Sequence, residues 1–170
     1  MKPLRLISTL LLASASSLPL ASVAQNHASA GSEAEIRHWM DDFKRAFEAR
    51  DTKAVMALYT PDVLVYDIVP PLQYSGAAAY TKDWETYFAG YKGRLTLESR
   101  DCRISASGDL AIFTCLEHTT GTLTDGKPVS IWLRNTTALR RVNGRWLDFH
   151  DHVSVPADME TDKALTDLKP

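Results

Sequence analysis

The sequence predicts an α+β domain in which N-terminal helices pack inside a strongly curved antiparallel sheet. Apolar residues recur at helical spacing in the first half of the chain. After Gly93 the pattern changes to alternating strand segments that are joined by short turns. Helices followed by an antiparallel meander are typical of a domain whose sheet curls around its helices.

The first 24 residues have the pattern of an export signal. Lys2 and Arg5 precede an apolar run from Leu6 to Leu20, and the small residues Ser22 and Ala24 precede the expected cleavage site. The run is too short and too polar for a membrane anchor. We therefore expect a periplasmic or secreted mature chain without membrane insertion, which begins with a flexible polar leader at residues 25–31.

The composition argues against two classes of partner. The 19 basic and 21 acidic residues give a net charge of −2, so nothing favours nucleic acid as a partner. No Gly-rich loop joins a strand to a helix, as a nucleotide site would require.

Three helices and one strand are predicted before Gly93. Ser32 and Glu35 have the spacing of a capping box that starts the first helix, which continues to residue 50. A second helix is predicted over 51–59, a strand over 63–67, a proline-stiffened loop over 68–76 and a third helix over 77–91. The aromatic side chains that would face the sheet are Trp39, Phe43, Phe47, Tyr80, Trp84 and Phe88. Tyr80 and Trp84 are predicted to reach a ligand, because their polar atoms need partners when buried.

Four strands are predicted at 95–105, 110–123, 129–141 and 146–155, with turns that suit hairpins. If Gly108 and Asp109 form the first turn, Cys102 faces Cys115 and Ile104 faces Phe113 across an antiparallel pair. Cys102 and Cys115 are then either a disulfide or two small core residues. The last residues are predicted to form one short helical turn.

The segment from Gly144 to Pro156 concentrates two His and two Asp on one predicted strand. Regular alternation puts Trp146, Asp148, His150, His152 and Ser154 on one face and Leu147, Phe149, Asp151 and Val153 on the other. His150 and His152 could bind zinc with His118 or Asp148 as a third ligand, but no signature spacing supports this and we predict no metal. A structural wall or a subunit contact is favoured.

These motifs resemble the SnoaL-like and ketosteroid isomerase homologue families of the nuclear transport factor 2-like superfamily. The resemblance rests on four segments, at 125–127, 132–136, 143–146 and 150–156. The closest likeness is to the ketosteroid isomerase homologues, which share four features with this chain. These are Tyr-Asp at 66–67, Pro-Pro-Leu-Gln-Tyr at 70–74, a helix Trp at Trp84 and Leu-Lys-Pro at 168–170. The match covers roughly residues 33–160 and implies a domain over 32–157 with a tail over 158–170.

The resemblance implies a cone-shaped fold with a deep pocket between helices and sheet, and a homodimer through the outer sheet face. It does not imply one activity, because the superfamily holds enzymes, binders and scaffolds. The segment from Gly144 to Pro156 also resembles the hub domain of calmodulin-dependent kinase, in which His-x-His-x-Ser follows Gly-x-Trp at the same place. That resemblance implies a structural or interface role for His150 and His152.

The resemblance also implies candidate catalytic residues. Asp67 stands where ketosteroid isomerase has its carboxylate base, although an Asp there could equally cap the following loop. The isomerase's oxyanion-hole Tyr falls at Phe43 and its protonated Asp falls near Leu133, so steroid isomerisation is not predicted. The acids of epoxide hydrolases fall near Asp151 and His118, without the Arg between them.

The remaining predicted ligand contacts are Tyr66, Trp132 and Arg134, with His150 and His152. Arg134 beside Trp132 could clamp a ligand carboxylate. Alternatively, Arg134 lies on the outer face and pairs with Asp148 or Asp151. We expect Trp132 and Arg134 to lie in the pocket or at its rim.

The sequence thus predicts an exported protein that holds a small, partly apolar molecule, with an anionic ligand as one alternative. Any catalysis would be acid–base chemistry without a cofactor, with Asp67 as the base and a His or Arg134 to stabilise charge. The alternative is a non-catalytic binding or assembly module that dimerises through its sheet.

Overall fold

The computed structural model describes the backbone of residues 20–170 and the side chains of residues 31–170. The predicted signal peptide, residues 1–24, lies almost entirely outside the described residues. No helix in the described part of the chain is long and apolar enough to cross a membrane.

The first helix, α1 (Leu20–Glu48), begins before the predicted cap and includes the backbone of the predicted leader. Ser32 lies inside this helix and not at its start, so the predicted capping box of Ser32 and Glu35 is wrong. The Glu35 side chain has other partners. Its Oε2 atom accepts hydrogen bonds from Trp146 Nε1 at 2.8 Å and from Arg141 Nη2 at 2.6 Å. Glu35 thus ties the helix to the last hairpin of the sheet.

The second helix, α2 (Thr52–Met56), is shorter than predicted. Asp51 caps it by accepting a hydrogen bond from Ala54 N at 2.9 Å, as Asp does at helix starts. The helix ends at Met56 because the chain then joins the sheet: Asp148 N donates to Leu58 O at 2.8 Å, and strand β1 (Tyr59–Tyr66) follows. The third helix, α3 (Ala77–Ala89), buries Tyr80, Trp84 and Phe88 against the sheet.

The main sheet has six strands. After β1 come β2 (Tyr74–Ser75), β3 (Tyr91–Ser107), β4 (Leu110–Leu123), β5 (Pro128–Val142) and β6 (Arg145–Ser154), in the spatial order β2-β1-β6-β5-β4-β3. Strands β3 to β6 form the predicted antiparallel meander. At the β5–β6 turn, Asn143 and Gly144 both have positive φ, at 51° and 79°, as a tight hairpin turn requires.

One strand pair is parallel, so the sheet is mixed rather than purely antiparallel. In β1 and β6, Val65 pairs with Asp151 and Tyr66 pairs with His152. Most of the domain lies between these two strands in the sequence, so no hairpin fixes their relative direction. The predicted α+β class with a strongly curved, unclosed sheet is confirmed.

The predicted register of the first hairpin is also confirmed, since Ile104 pairs with Phe113 and Ser107 pairs with Leu110. Cys102 and Cys115 are joined by a disulfide across this hairpin. The same register, which continues through Arg103 and Thr114, places Cys102 opposite Cys115, and the bulge between Arg100 and Arg103 shifts the pairing only beyond this point.

The tail forms a small hairpin, not the predicted helical turn. Strands β7 (Ala157–Asp158) and β8 (Lys163–Ala164) pair with each other. The Asp158 carboxylate accepts hydrogen bonds from Glu160 N at 2.9 Å and Thr161 N at 3.4 Å, and this local bonding favours a turn over a helix.

Candidate functional site

A cavity of about 360 Å³ lies between the helices and the concave face of the sheet. Its volume is near the lower end of the range for small-molecule sites. The aromatic residues that line it come from α1 and α3 and are Phe43, Phe47, Tyr80, Trp84 and Tyr87. The acidic residues that line it are Asp67, Asp83, Glu117 and Asp151. The cavity therefore combines an apolar wall with several carboxyl groups.

A bulge in β6 decides which acids face this cavity. Ala138 pairs with His150 and Leu139 pairs with Asp148, so Phe149 is an extra residue without a partner in the ladder. Alternation therefore restarts after Phe149. Asp148 and Asp151 are both buried on the inner side, whereas His152 is exposed. The predicted division of this strand into two regular faces was wrong for this reason.

Glu117 and Asp151, which we call the inner pair, are the most buried acids of the cavity, with 8% and 4% of their surfaces exposed. Thr137 Oγ1 donates a hydrogen bond to Asp151 Oδ1 at 3.0 Å, and Tyr59 Oη lies 3.5 Å from Asp151 Oδ2. A second cavity, of about 10 Å³, also adjoins both acids on the side of Tyr59.

The surroundings of the inner pair favour the protonated forms. Burial raises the pKa of Glu117 to about 7, although hydrogen bonds from Asn135 and Ser99 work against this. Burial also raises the pKa of Asp151 to about 7, and the neighbouring charge of Glu117 adds to the effect. Carboxyl groups that titrate near neutral pH can both accept and donate protons there.

Asp67 and Asp83, which we call the outer pair, line the cavity beside the proline-rich loop. Asp67 Oδ2 accepts a hydrogen bond from Tyr80 Oη at 3.1 Å, and Asp67 Oδ1 accepts one from Ile68 N at 2.6 Å. Asp83 Oδ1 accepts one from Tyr74 Oη at 2.7 Å. Asp67 therefore caps the loop, as one alternative had it, and also faces the cavity, while its role as a base stays a prediction. Burial raises its pKa, while the Ile68 N–H opposes the shift.

Asp148 lies behind the cavity wall, fully buried, with no hydrogen-bond partner for either carboxyl oxygen among the described residues. Burial, together with the charge of Asp151, raises the pKa of Asp148 well above its ordinary value. Burial therefore favours the neutral form of this carboxyl, because an isolated buried carboxylate is costly.

The other predicted site residues do not line the cavity. In β4, Glu117 and Thr119 line the cavity, so His118 between them lies on the outer face. In β5, Leu133 and Asn135 line the cavity. Trp132 and Arg134, which alternate with them, therefore lie on the outer face as well. Arg134 pairs with neither predicted acid, because Asp148 and Asp151 face the other side.

The outer face has its own aromatic and histidine contacts. The ring of Trp132 stacks on that of His118 at 4.5 Å, and the Arg100 guanidinium lies 5.6 Å from the Trp132 ring. Tyr66 packs against His150 at 5.1 Å and against His152 at 5.7 Å. These four predicted ligand contacts and His118 thus belong to a surface and not to the pocket.

The arrangement does not support a metal site at the histidine pair. His150 Nδ1 is hydrogen-bonded to Leu64 O at 2.9 Å, Asp148 faces the opposite side, and His118 is engaged with Trp132. Within the described residues, no three His, Cys, Asp or Glu side chains are placed to hold a metal ion.

Of the predicted site residues, Asp67, Asp151, Tyr80 and Trp84 line the cavity. Sequence reasoning missed Glu117, Asp83 and Asn135. A signal for Glu117 was present, because Phe113 was expected to face Ile104 in the core. Alternation from Phe113 reaches Glu117 on the same side.

Two positions that resemble those of ketosteroid isomerase also lie here. Phe43 and Leu133 both line the cavity, and neither side chain has a hydrogen-bond donor. The cavity therefore lacks that enzyme's donors at these two positions.

Comparisons with known proteins agree with this fold. The SnoaL-like domain family matches residues 36–158. An NTF2-like protein of unknown function from Pseudomonas putida KT2440 is 35% identical with a TM-score of 0.77, over 84% of this chain and 99% of that one.

More distant structures show the same fold. A candidate scytalone dehydratase from Novosphingobium aromaticivorans is 15% identical with a TM-score of 0.69, over 87% of this chain and 96% of that one. A ketosteroid isomerase-like protein from Erwinia carotovora atroseptica is 21% identical with a TM-score of 0.62, over 71% of this chain and 93% of that one. No match was found among curated proteins.

Proposed function

Because the chain belongs to the SnoaL-like domain family of the nuclear transport factor 2-like superfamily, we propose that it binds a small, partly apolar organic molecule and moves protons on it without a cofactor. The observation that carries this proposal is the inner pair. Two buried carboxyls, each with a pKa of about 7, line an otherwise largely aromatic cavity.

The chemistry requires one acid and one base at the same time. Near neutral pH, each carboxyl of the inner pair is partly protonated, so one can accept a proton from the ligand while the other donates one. Asp67 supplies a further base at the other end of the cavity. Loss of water and migration of a double bond both need such a pair, and the relatives described as dehydratase and isomerase-like fit this class.

The test begins with the bound molecule. Native mass spectrometry of protein purified from its own host should reveal a small organic molecule, and its conversion can then be followed. We expect Asp151→Asn and Glu117→Gln each to lower kcat about a hundredfold, because each removes a group that transfers a proton.

The matched control is Asp41→Asn, at an exposed position on α1, which should leave kcat unchanged. If Asp151→Asn, Glu117→Gln and Asp67→Asn all kept the wild-type kcat, the carboxyl groups would take no part in catalysis.

A second proposal is that the outer sheet face joins two copies of the chain. It is supported by the partly exposed Trp132 and by exposed apolar side chains on the same face, Leu110 at 56% and Ile112 at 44%. We expect Trp132→Ala to halve the mass measured by light scattering. Leu72→Ala, which removes an exposed apolar side chain from the proline-rich loop, should not. A wild-type protein that is monomeric at every concentration contradicts the proposal.

A further inference from the structure

The charge of the cavity lining is entirely of one sign. The inner and outer pairs contribute four carboxyl groups, and no Lys, Arg or His occurs among the described residues that line the cavity. Within the described part of the chain, none of the four acids forms an ion pair. Arg134, the residue expected to hold an anion, is on the other side of the sheet. The described residues of the chain therefore supply no positive charge at this site.

This arrangement discriminates between ligand charges. An anion would meet only like charge in a partly buried site, where Coulomb repulsion is stronger than in water. A neutral molecule would leave any ionised carboxyl without a partner, and the carboxyls would stay partly protonated, because buried charges in proteins are normally paired. A cation would supply the missing partner.

The aromatic wall has the same preference. Trp84 is the centre of this wall, with the rings of Phe43, Phe47 and Tyr87 at 5.9, 6.0 and 5.8 Å from its own. The faces of aromatic rings attract organic cations, Trp most strongly. Trp84 is more than nine-tenths buried, and its Nε1 donor has no hydrogen-bond partner among the described residues. An N–H donor requires an acceptor atom, so Trp84 Nε1 calls for an acceptor on a ligand and does not itself favour a cation.

We propose that the ligand of this cavity is an organic cation, a protonated amine or quaternary ammonium attached to a compact apolar body. The ammonium group is held by the carboxyls, and the apolar body packs against the rings around Trp84. The inference rests on the proposed function, which places the ligand in this cavity, and adds the chemical class of that ligand.

The test uses three probes of one shape that differ in charge: 1-adamantylammonium, 1-adamantanol and 1-adamantanecarboxylate. Titration calorimetry near pH 8, where the inner pair is mostly ionised, gives the Kd of each. We expect the ammonium to bind at least about tenfold more tightly than the alcohol, and the carboxylate to bind most weakly.

Substitutions test whether the carboxyls cause the difference. Asp151→Asn should weaken binding of the ammonium about tenfold and binding of the alcohol less than about twofold, since only the charged probe loses a Coulomb partner. Asp67→Asn should act in the same direction. Asp41→Asn, with the same change of charge outside the cavity, should alter neither Kd.

The alcohol separates the two proposals. If the alcohol binds as tightly as the ammonium, the cavity still holds organic molecules, and the cation proposal is wrong while the proposed function stands. Tightest binding of the carboxylate, or no binding of any probe, also overturns the cation proposal. The proposed function is then judged by its own turnover measurement.

Discussion

Glu117 lies where an ionised carboxylate is poorly solvated, and this has a consequence for the stability of the fold. Its folded-state pKa is about 7, above the ordinary value of 4.5. Between these two values the folded state keeps a proton that the unfolded state has lost. The free energy of unfolding therefore falls as the pH rises from 4.5 to about 7. Above about pH 7, Glu117 is ionised in both states and has no further effect on the pH dependence.

We predict that Glu117→Gln removes the part of the pH dependence of stability that Glu117 causes. The gap between pKa values of 4.5 and about 7 corresponds to about 3 kcal/mol. In urea unfolding, the wild-type protein should lose more stability between about pH 5 and about pH 8 than the variant does, by an amount of that order. Glu85→Gln, at an exposed position on α3, should behave like the wild type. Equal pH dependence of Glu117→Gln and wild type would show that Glu117 has an ordinary pKa in the folded state.

At the level of single elements, the β3–β4 hairpin was accessible from the sequence because its determinants are local. A turn with Gly108 at its centre sets the register, and this places Ile104 opposite Phe113. The limits of the second helix were not accessible, since they depend on a hydrogen bond from Asp148, far away in the sequence. The parallel pairing of β1 with β6 is non-local in the same sense.

The candidate site was only partly predictable for a related reason. Asp67, Tyr80 and Trp84 could be identified because they lie on elements with regular patterns. The inner pair could not be assembled, because the extra residue Phe149 changes the face of every later residue in β6. A bulge has no distinctive sequence pattern, so alternation counted from the Gly144 turn gives the wrong face for His150 and His152.

The disulfide allows a prediction at the scale of the β3–β4 hairpin. Cys102 and Cys115 are separated by 13 residues. A loop of this length restricts the unfolded chain enough to contribute about 3 kcal/mol. Guanidinium unfolding with and without a reductant should show a loss of stability of that order on reduction. The Cys102→Ala/Cys115→Ala variant should not respond to the reductant, and a wild type that does not respond either contradicts the assignment.

The molecule as a whole separates two kinds of surface on one sheet. Its concave side, with the helices packed on it, encloses the carboxyl groups and the aromatic rings of the cavity. Its outer face holds His118 stacked on Trp132 and Tyr66 packed against His150. Uncompensated buried acids lower the stability of the folded state, whereas the disulfide raises it. Disulfides persist in oxidising compartments, which supports our proposal that the chain is exported.

Export predicts a specific start for the mature protein. When the chain is expressed in a bacterial host, the protein recovered from the periplasm should begin at Gln25, since the signal pattern ends at Ala24. N-terminal sequencing and intact mass of each cell fraction would measure this. Full-length protein that begins at Met1 and stays in the cytoplasm contradicts the proposal.

The bulge at Phe149 also bears on how such a strand can change during evolution. Removal of this one residue would leave His150 adjacent to Asp148 in the ladder, with each still paired to its present partner in β5. Homologues could therefore gain or lose a residue at this point while the same acid groups stay turned toward the ligand. Elsewhere in the strand, an insertion or deletion of one residue would exchange an acid for a neighbouring side chain. Among positions in β6, we therefore expect this one to accept a change of length while the chemistry of the interior is conserved.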